Sequence, residues 1–208
     1  MSSPFNTTTS DSTTDVWLTP PSLLKRLGHF DLDPCAATKR PWDCADKNYT
    51  IEDDGLKQDW GRGRVWCNPP YGAKAEAFME KLAKHPGMGL ALVFARTDTK
   101  WFQKCVLDEA KYILFLKGRL KFHCDDGSVK STANAASCLI AWDVREYPLL
   151  SKLAQEGLGS LWCPTGGEES CCATCIYGLV DEKTQTCKCS IKGRQPARGH
   201  SICDYYEN

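Results

Sequence analysis

The sequence predicts an α/β domain built on a mostly parallel sheet, and three features support this prediction. Apolar runs of strand length alternate with segments of helical periodicity over residues 15–158. The run 89–95 is apolar at almost every position, which is typical of a parallel strand that is covered on both faces. The apolar run 65–67 is followed at once by polar and aromatic residues, as expected of a strand end that faces a ligand.

Composition points to an intracellular protein of one domain plus an appendage. Lys and Arg total 26, as do Asp and Glu, so any contact with nucleic acid has to come from a local patch. The sequence shows neither a bilayer-length apolar run nor the layout of a signal peptide, so we expect a cytoplasmic location. Of thirteen cysteines, six are scattered through residues 1–150 and seven fall within the last 46 residues, which marks a separate tail at 159–208.

The first third of the chain predicts an arm, a helix and a strand. Residues 1–14 are Ser, Thr, Asn and Asp with little else, so we expect a disordered arm. Thr19 is a candidate N-cap for a helix with two prolines in its first turn and Gly28 at its end. A strand over 30–37 follows and ends in an acidic residue and a proline. The polar segment 38–63 predicts no strand.

Beyond residue 64 the alternation becomes regular. It predicts strands at 65–67, 89–95, 112–116 and 137–142 and helices at 73–85, 100–110 and 147–156. Thr97 or Asp98 is expected to cap the second of these helices. Its inward residues are expected to be Trp101, Phe102, Cys105 and Val106.

The run 68–71, Asn-Pro-Pro-Tyr, places an amide, two prolines and an aromatic ring at the end of a buried strand. The prolines fix their own φ and donate no hydrogen bond, so this backbone is stiff. The Asn68 side-chain oxygen and the Pro69 carbonyl suit the two N–H bonds of an amine conjugated to an aromatic ring, whose methylation they would assist. If the ring is a nucleic-acid base, Tyr71 would stack on that base once it has left the duplex. The structural alternative is a strand-to-loop turn that contains Pro70 and a buried tyrosine.

Several motifs in one consistent order resemble the phage-type DNA N6-adenine methyltransferases, which use S-adenosylmethionine. The matching segments are 17–21 (Trp-Leu-Thr-Pro-Pro), 31–34 (Asp-Leu-Asp-Pro), 53–56 (Asp-Asp-Gly-Leu), 58–60 (Gln-Asp-Trp), 66–72 (Trp-Cys-Asn-Pro-Pro-Tyr-Gly), 95–102 (Ala-Arg-Thr-Asp-Thr-Lys-Trp-Phe) and 118–122 (Gly-Arg-Leu-Lys-Phe). The resemblance implies a Rossmann-like methyltransferase fold and double-stranded DNA as the partner. It also implies catalytic roles for Asn68, Pro69, Pro70 and Tyr71.

The resemblance also implies residues that hold the cofactor. Thr19, followed by Pro20, matches a position against the cofactor's carboxylate, although a helix cap alone explains it equally well. Asp33, followed by Pro34, matches the acceptor for the α-ammonium.

Four further aspartates are candidates for holding the cofactor. Either Asp31 or Asp33 is expected to be structural. Asp59 matches an acceptor for the cofactor's adenine amine, with a solvated loop as its alternative. Asp53 or Asp54 is a candidate for the ribose, or simply part of an acidic turn. The glycine-rich loop of many methyltransferases is missing after Pro34.

Two basic stretches are candidate DNA contacts. Arg96 and Lys100 follow a strand on the expected site edge, where they would meet phosphates or order the rim. Arg119 and Lys121 belong to a basic loop that includes Phe122, and an ordinary solvated hairpin is the alternative.

The tail offers one Cys-x-x-Cys and one Cys-x-Cys pair, whose four candidate zinc ligands are Cys172, Cys175, Cys187 and Cys189. Disulfides, or an unfolded tail, are the alternatives. For the whole protein, methylation of RNA or of protein glutamine, or a non-catalytic DNA-binding scaffold, are the alternatives to DNA methylation.

Overall fold

The computed structural model describes residues 16–70, 73–133, 135–164, 178–180 and 187–189. The predicted arm at 1–14 lies outside them. Helices α1 to α3 span Pro21–Leu27, Ala73–Ala83 and Tyr147–Gln155. Strands β1 to β11 span, in order, Leu32–Asp33, Lys47–Asn48, Val65–Cys67, Gly89–Phe94, Tyr112–Leu116, Lys121–His123, Val129–Thr132, Ser137–Ala141, Gly159–Trp162, Gly178–Val180 and Cys187–Cys189. No helix in these ranges is long and apolar enough to cross a membrane.

Seven of these strands form one mixed sheet in the order β2-β1-β3-β4-β8-β5-β9. The pairs among β2, β1, β3 and β4 are parallel, whereas β8 is antiparallel to both of its neighbours and β9 is antiparallel to β5. The predicted α/β class is confirmed, and the parallel prediction holds for one half of the sheet. The direction of β8 was not predictable, because a buried apolar run looks the same in either direction.

The strand order reverses at β1. The chain runs from β1 to β2 on one side and then returns to β3 on the other side. The carboxyl ends of β1 and β3 therefore lie next to each other where the connections diverge. A crevice opens at such a reversal, and ligands of open α/β sheets bind there.

Alternate residues of each strand pack into two separate layers. One layer joins α1 and α3 to the sheet through Leu23, Leu27, Trp66, Leu90, Leu92, Leu114, Leu139, Leu150 and Leu153. The other joins α2 and the segment after β4 through Val65, Phe78, Met79, Leu82, Ala91, Val93, Phe102, Cys105, Ile113 and Ile140. The period-2 alternation explains why sequential strand residues fall in different layers.

Helix α1 begins differently from the prediction. Pro20 occupies the N-cap position and makes no side-chain cap bond, so the expected Thr19 cap is wrong. The Thr19 hydroxyl instead accepts a hydrogen bond from Asn68. The end of the helix is as predicted: Gly28 has φ +82° and donates its N–H to the Leu24 carbonyl.

The predicted helix 100–110 is a short π-helical turn, Phe102–Leu107. The N–H of Asp108 reaches the Gln103 carbonyl five residues back, while the Trp142 indole N–H donates to the Cys105 carbonyl at 2.9 Å. A side chain that takes up a helix carbonyl interrupts the regular ladder. Phe102, Cys105 and Val106 are buried as expected, whereas Trp101 is half-buried. The expected cap by Thr97 or Asp98 is not formed, since this turn has no side-chain cap.

The two edge strands of the seven-stranded sheet were not predicted. Lys47–Asn48, within the supposedly irregular 38–63, pairs with β1 at the sheet edge. Gly159–Trp162, assigned to the tail, pairs with β5 as the opposite edge strand, so the sheet domain extends past 158. Both strands are short and only partly buried, which weakens the alternating pattern that identifies a strand.

A buried ion pair joins the amino edge of the sheet to α3. Arg64 Nε and Nη2 donate to the two Glu146 carboxylate oxygens at 2.7 Å, and the Glu146 side chain is only 1% exposed. Arg64 Nη1 also donates to the carbonyls of Leu27 and His29, and its guanidinium lies 4.3 Å from the centre of the Phe30 ring. One arginine thus connects the end of α1, the start of β3 and the start of α3.

We expect Glu146→Ala to lower the free energy of unfolding by about 3–5 kcal/mol, because it leaves the largely buried Arg64 cation without its counter-ion. Urea unfolding followed by tryptophan fluorescence measures this. The matched control is Glu156→Ala, which removes the exposed pair with Arg26 and should cost less than about 1 kcal/mol. Equal losses in the two variants would show that burial of the Arg64 pair contributes nothing special.

Candidate active site

A cavity of about 700 Å³ lies at the carboxyl ends of β1 and β3, where the strand order reverses. This volume is within the range of about 300–1,000 Å³ that small-molecule sites occupy. Its lining comes from the segment before α1, the loop after β1, the loop before β3 and the turn after β3. Its lining includes Trp17, Thr19, Asp33, Pro34, Arg40, Trp42, Asp54, Asn68, Pro69 and Pro70.

The Asn68 amide is held in one orientation. Its Nδ2 donates to the Trp17 carbonyl at 2.7 Å and to the Thr19 hydroxyl at 3.3 Å. A carbonyl can only accept, so the nitrogen has to face Trp17 and the oxygen has to face the other way. Asn68 Oδ1 is buried and has no hydrogen-bond partner among the described residues. A buried acceptor without a partner is costly, so an N–H donor that reached this oxygen would be stabilising.

The turn after Asn68 is rigid and borders the same cavity. Pro69 is buried and Pro70 is exposed, and both line the cavity without offering an N–H. Tyr71, the third predicted member of this group, lies outside the described residues.

Asp33 provides a buried carboxylate at the end of β1. It is 3% exposed, and its Oδ1 accepts the Cys35 N–H at 3.0 Å. Burial raises the pKa of this carboxyl from 3.8 to about 6, an effect that the Cys35 hydrogen bonds and the nearby Arg40 charge only partly offset. A carboxylate kept in this environment would be stabilised by a cationic ligand. The neighbouring Pro34 also lines the cavity.

Arg40 and Trp42 belong to the site although the sequence analysis missed them. Arg40 lines the cavity with Nε donating to Asp43 at 2.7 Å and Nη1 to the Ala37 carbonyl at 2.8 Å. The Trp42 indole N–H donates to the Thr19 carbonyl at 3.2 Å. The only signal in the sequence was an arginine and a tryptophan inside an otherwise polar segment, which does not by itself indicate a ligand.

The loop before β3 is pressed against the end of β1. Gly55 lies so close to Pro34 that a Cβ on it would stand 1.8 Å from the Pro34 carbonyl oxygen, so only glycine fits. Its neighbour Asp54 adopts a positive φ of +51° and pairs with Lys57 at 2.8 Å. Asp54 lines the cavity, whereas Asp53 accepts the N–H and hydroxyl of Thr50 and closes a turn.

Three predicted cofactor residues do not line this cavity. Asp31 lies at the amino end of β1, away from the cavity, and its exposed carboxylate accepts the Arg64 N–H. Asp59 is exposed and accepts the Gly61 N–H at 2.8 Å within a turn. Pro20 is buried as the N-cap of α1. The spacing of acidic residues could not distinguish the two ends of one short strand.

The predicted DNA contacts lie on the surface. Arg96, Lys100, Arg119 and Lys121 are all exposed, and the first two follow β4 at the carboxyl edge of the sheet, as Asn68 does after β3. Phe122 is fully buried against Trp17 and Phe94, so its expected role in DNA contact is wrong. The segment around it is the antiparallel hairpin β6–β7.

The predicted zinc ligands are only partly described. Cys172 and Cys175 lie outside the described residues, and Cys187 and Cys189 belong to β11, of which only the backbone is described. Elsewhere in the described ranges, a group of possible ligands comprises His29, Asp31 and Asp46, all exposed and at the opposite edge of the sheet from the cavity.

A comparison with protein families matches residues 6–155 to the family of DNA N-6-adenine-methyltransferases (Dam). The match covers more than half of the chain and spans every segment that lines the cavity. A comparison with curated proteins found no match.

We expect Asp33→Asn to stabilise the ligand-free protein at pH 8 by about 1–3 kcal/mol. Because the folded pKa of about 6 lies above the unfolded value of 3.8, the folded state binds more protons between these values, and stability falls as the pH rises through this range. The full difference between the folded and unfolded pKa values corresponds to about 3 kcal/mol, which is an upper bound on the gain in stability.

Urea unfolding between pH 4 and 8 measures this. In the Asp33→Asn variant, the fall in stability with rising pH should be absent. Asp59→Asn is the matched control, because the Asp59 carboxylate also accepts a backbone N–H but is exposed. This substitution should change stability by less than about 0.5 kcal/mol. Destabilisation of Asp33→Asn at every pH would contradict the prediction.

Proposed function

The chain belongs to the DNA N-6-adenine-methyltransferase family and methylates the N6 amine of adenine in DNA, and from this premise we propose that the cavity at β1 and β3 binds both S-adenosylmethionine and the target amine. The observation that supports this most directly is the Asn68 amide, whose nitrogen is fixed by Trp17 and Thr19 and whose buried oxygen has no partner among the described residues. An acceptor fixed in this way suits an N–H group that arrives from outside.

Asn68 and Pro69 would act on the nitrogen that is methylated. The N6 lone pair is delocalised into the adenine ring, so the amine is a poor nucleophile. Two acceptors, Asn68 Oδ1 and the Pro69 carbonyl, would bind its N–H bonds and favour a pyramidal nitrogen. They would also stabilise the positive charge that grows as the nitrogen–carbon bond forms and the carbon–sulfur bond breaks. One N–H proton then leaves to solvent, which needs no protein base.

The donor set around Asp33 fits the methionine end of S-adenosylmethionine, which supplies the methyl group as a sulfonium. The buried Asp33 carboxylate would accept from the α-ammonium, which would lower its raised pKa. Arg40 stands close enough to Asp33 to stabilise its charge and is held by Asp43 and the Ala37 carbonyl. We assign the cofactor's carboxylate to Arg40 together with the Thr19 hydroxyl, which accepts from Asn68 and keeps its own proton to donate.

The nucleoside end would lie along the loop before β3. This loop lines the cavity with the apolar side chains of Ile51 and Leu56, Phe78 of α2 also lines it, and apolar walls of this kind suit a purine ring. Asp54 is the carboxylate that this loop presents to the cavity, so we assign it, rather than Asp53, to the hydroxyls of the ribose. The contact between Gly55 and Pro34 fixes the loop at this position.

The remaining assignments concern DNA, the fold and the tail. We propose that double-stranded DNA lies over the carboxyl edge, with phosphates near Arg96, Lys100, Arg119 and Lys121 and with Tyr71 stacked on the extruded adenine. We also propose that the sheet is a Rossmann-like methyltransferase sheet, supported by its reversal at β1. Zinc binding by the tail cysteines stays a prediction from the sequence.

We expect Asn68→Ala to lower kcat by about 10²–10³-fold, since it removes an acceptor that acts on the developing charge. The dissociation constant of S-adenosylhomocysteine should change less than about threefold, because Asn68 does not hold the cofactor. Single-turnover methylation of DNA and isothermal titration measure the two quantities.

The matched control is Asn48→Ala. Asn48 also has a buried side-chain oxygen without a partner in the described chain, but it lies on β2 and does not line the cavity. Its substitution should leave kcat within about twofold. Parallel loss of turnover and cofactor affinity in Asn68→Ala would instead place Asn68 in the cofactor site.

We expect Arg40→Gln to weaken S-adenosylhomocysteine at least tenfold and to leave the binding of 5′-methylthioadenosine unchanged. The second ligand lacks the amino-acid group, so it cannot use the charge-assisted bond that Arg40 provides. Isothermal titration of both ligands measures this. Lys39→Gln, which removes an exposed cation that pairs with Asp125 outside the cavity, is the control. Equal weakening of both ligands would give Arg40 a purely structural role.

A further inference from the structure

We propose that Lys130 is a positioning residue for Asn68, acting through Trp17; this proposal rests on the proposed role of Asn68 in orienting the amine. Lys130 belongs to β7, and its Nζ donates to the Val16 carbonyl at 3.0 Å. The same ammonium lies 4.1 Å from the centre of the Trp17 ring, a cation–π contact. The lysine therefore holds both the residue before Trp17 and the Trp17 ring itself.

Trp17 is the residue whose carbonyl orients Asn68. The Asn68 Nδ2 lies 2.7 Å from that carbonyl, the shorter of its two hydrogen bonds. The Trp17 ring stands edge-on to Phe122 and Phe94, with ring centres 5.5 and 6.3 Å away. The two phenylalanines contact the Trp17 ring from the core side, and the Lys130 ammonium lies over one face of the ring. The position of the carbonyl is thus set by contacts made elsewhere on the same residue.

The hairpin β6–β7 is continuous with this segment. Leu18 and His123 exchange backbone hydrogen bonds of 2.9 and 3.0 Å, so the segment before α1 lies as an extra antiparallel partner along β6. Lys130, on the other strand of the hairpin, adds a side-chain bond to the same segment. The hairpin that carries the proposed DNA contact Lys121 is therefore joined to the segment that orients the catalytic amide.

Placement matters here because the Asn68 oxygen acts only from a narrow range of positions. An error of about 1 Å in a catalytic group costs on the order of 10²-fold in rate. Loss of the ammonium would leave the Val16 carbonyl without this donor and the Trp17 ring without its cation. We therefore expect a partial loss of turnover, smaller than the loss caused by removal of Asn68 itself.

The test compares Lys130→Met, which keeps most of the aliphatic stem, with Lys130→Arg, which keeps a cation. Lys130→Met should lower kcat about tenfold at saturating DNA, while KM for DNA and the dissociation constant of S-adenosylhomocysteine stay within about twofold. Lys130→Arg should recover at least half of the loss. A merely structural lysine would lower the midpoint of thermal unfolding without changing kcat of the folded enzyme.

Lys121→Met is the contrasting variant on the same hairpin. As a proposed phosphate contact, it should raise KM for DNA and reduce the dependence of KM on salt. The same pattern in Lys130→Met would make Lys130 a DNA contact and overturn the proposal, as would an unchanged kcat. If Asn68→Ala keeps its turnover, the proposed function of Asn68 fails first. If Asn68→Ala is inactive and Lys130→Met is normal, the positioning role alone fails.

Discussion

The hydrogen bond from the Asn68 amide to the Trp17 carbonyl is the contact on which the site depends. It converts a side chain that has two interchangeable faces into an acceptor with one direction, because the Trp17 carbonyl can bind only the nitrogen. The short strand β3 ends where the prolines begin, so the backbone on the far side of Asn68 is stiff as well. An orienting acceptor needs both constraints, and neither segment could supply them alone.

The two ends of β1 carry aspartates in opposite environments. At the amino end, Asp31 is exposed, and its carboxylate accepts the backbone N–H of Arg64, whose side chain forms the ion pair with Glu146 and joins three elements. At the carboxyl end, Asp33 is buried without a comparable counter-ion, and its pKa is raised to about 6. Its burial destabilises the empty protein, and a cationic ligand would recover that free energy. The unfavourable burial of the Asp33 carboxylate thus lies where the binding of a cation can offset it.

The sequence predicted features that depend on local pattern and missed those that depend on distant partners. Strands β3, β4, β5 and β8 and helices α2 and α3 follow from apolar periodicity, and Asn68 and Asp33 were assigned from the motifs around them. Arg40 and Trp42 were missed because their place at the cavity comes from contacts with Ala37 and Thr19. The π-helical turn was missed for the same reason, since the interrupting donor is Trp142, more than thirty residues away.

The segment before α1 contacts Asn68 on one side and the hairpin β6–β7 on the other. Its side toward β3 orients the Asn68 amide, and its side toward the hairpin pairs with His123 and Lys130. A displacement of the hairpin would therefore reach the amide through the Leu18–His123 backbone bonds, the Lys130 bond to Val16 and the packed Trp17 ring, without any change in the sheet. Since the proposed DNA contact Lys121 lies on that hairpin, the proposed amine-orienting group and the proposed DNA contact would share one support, so that binding of the duplex and alignment of its adenine would become a single geometric requirement.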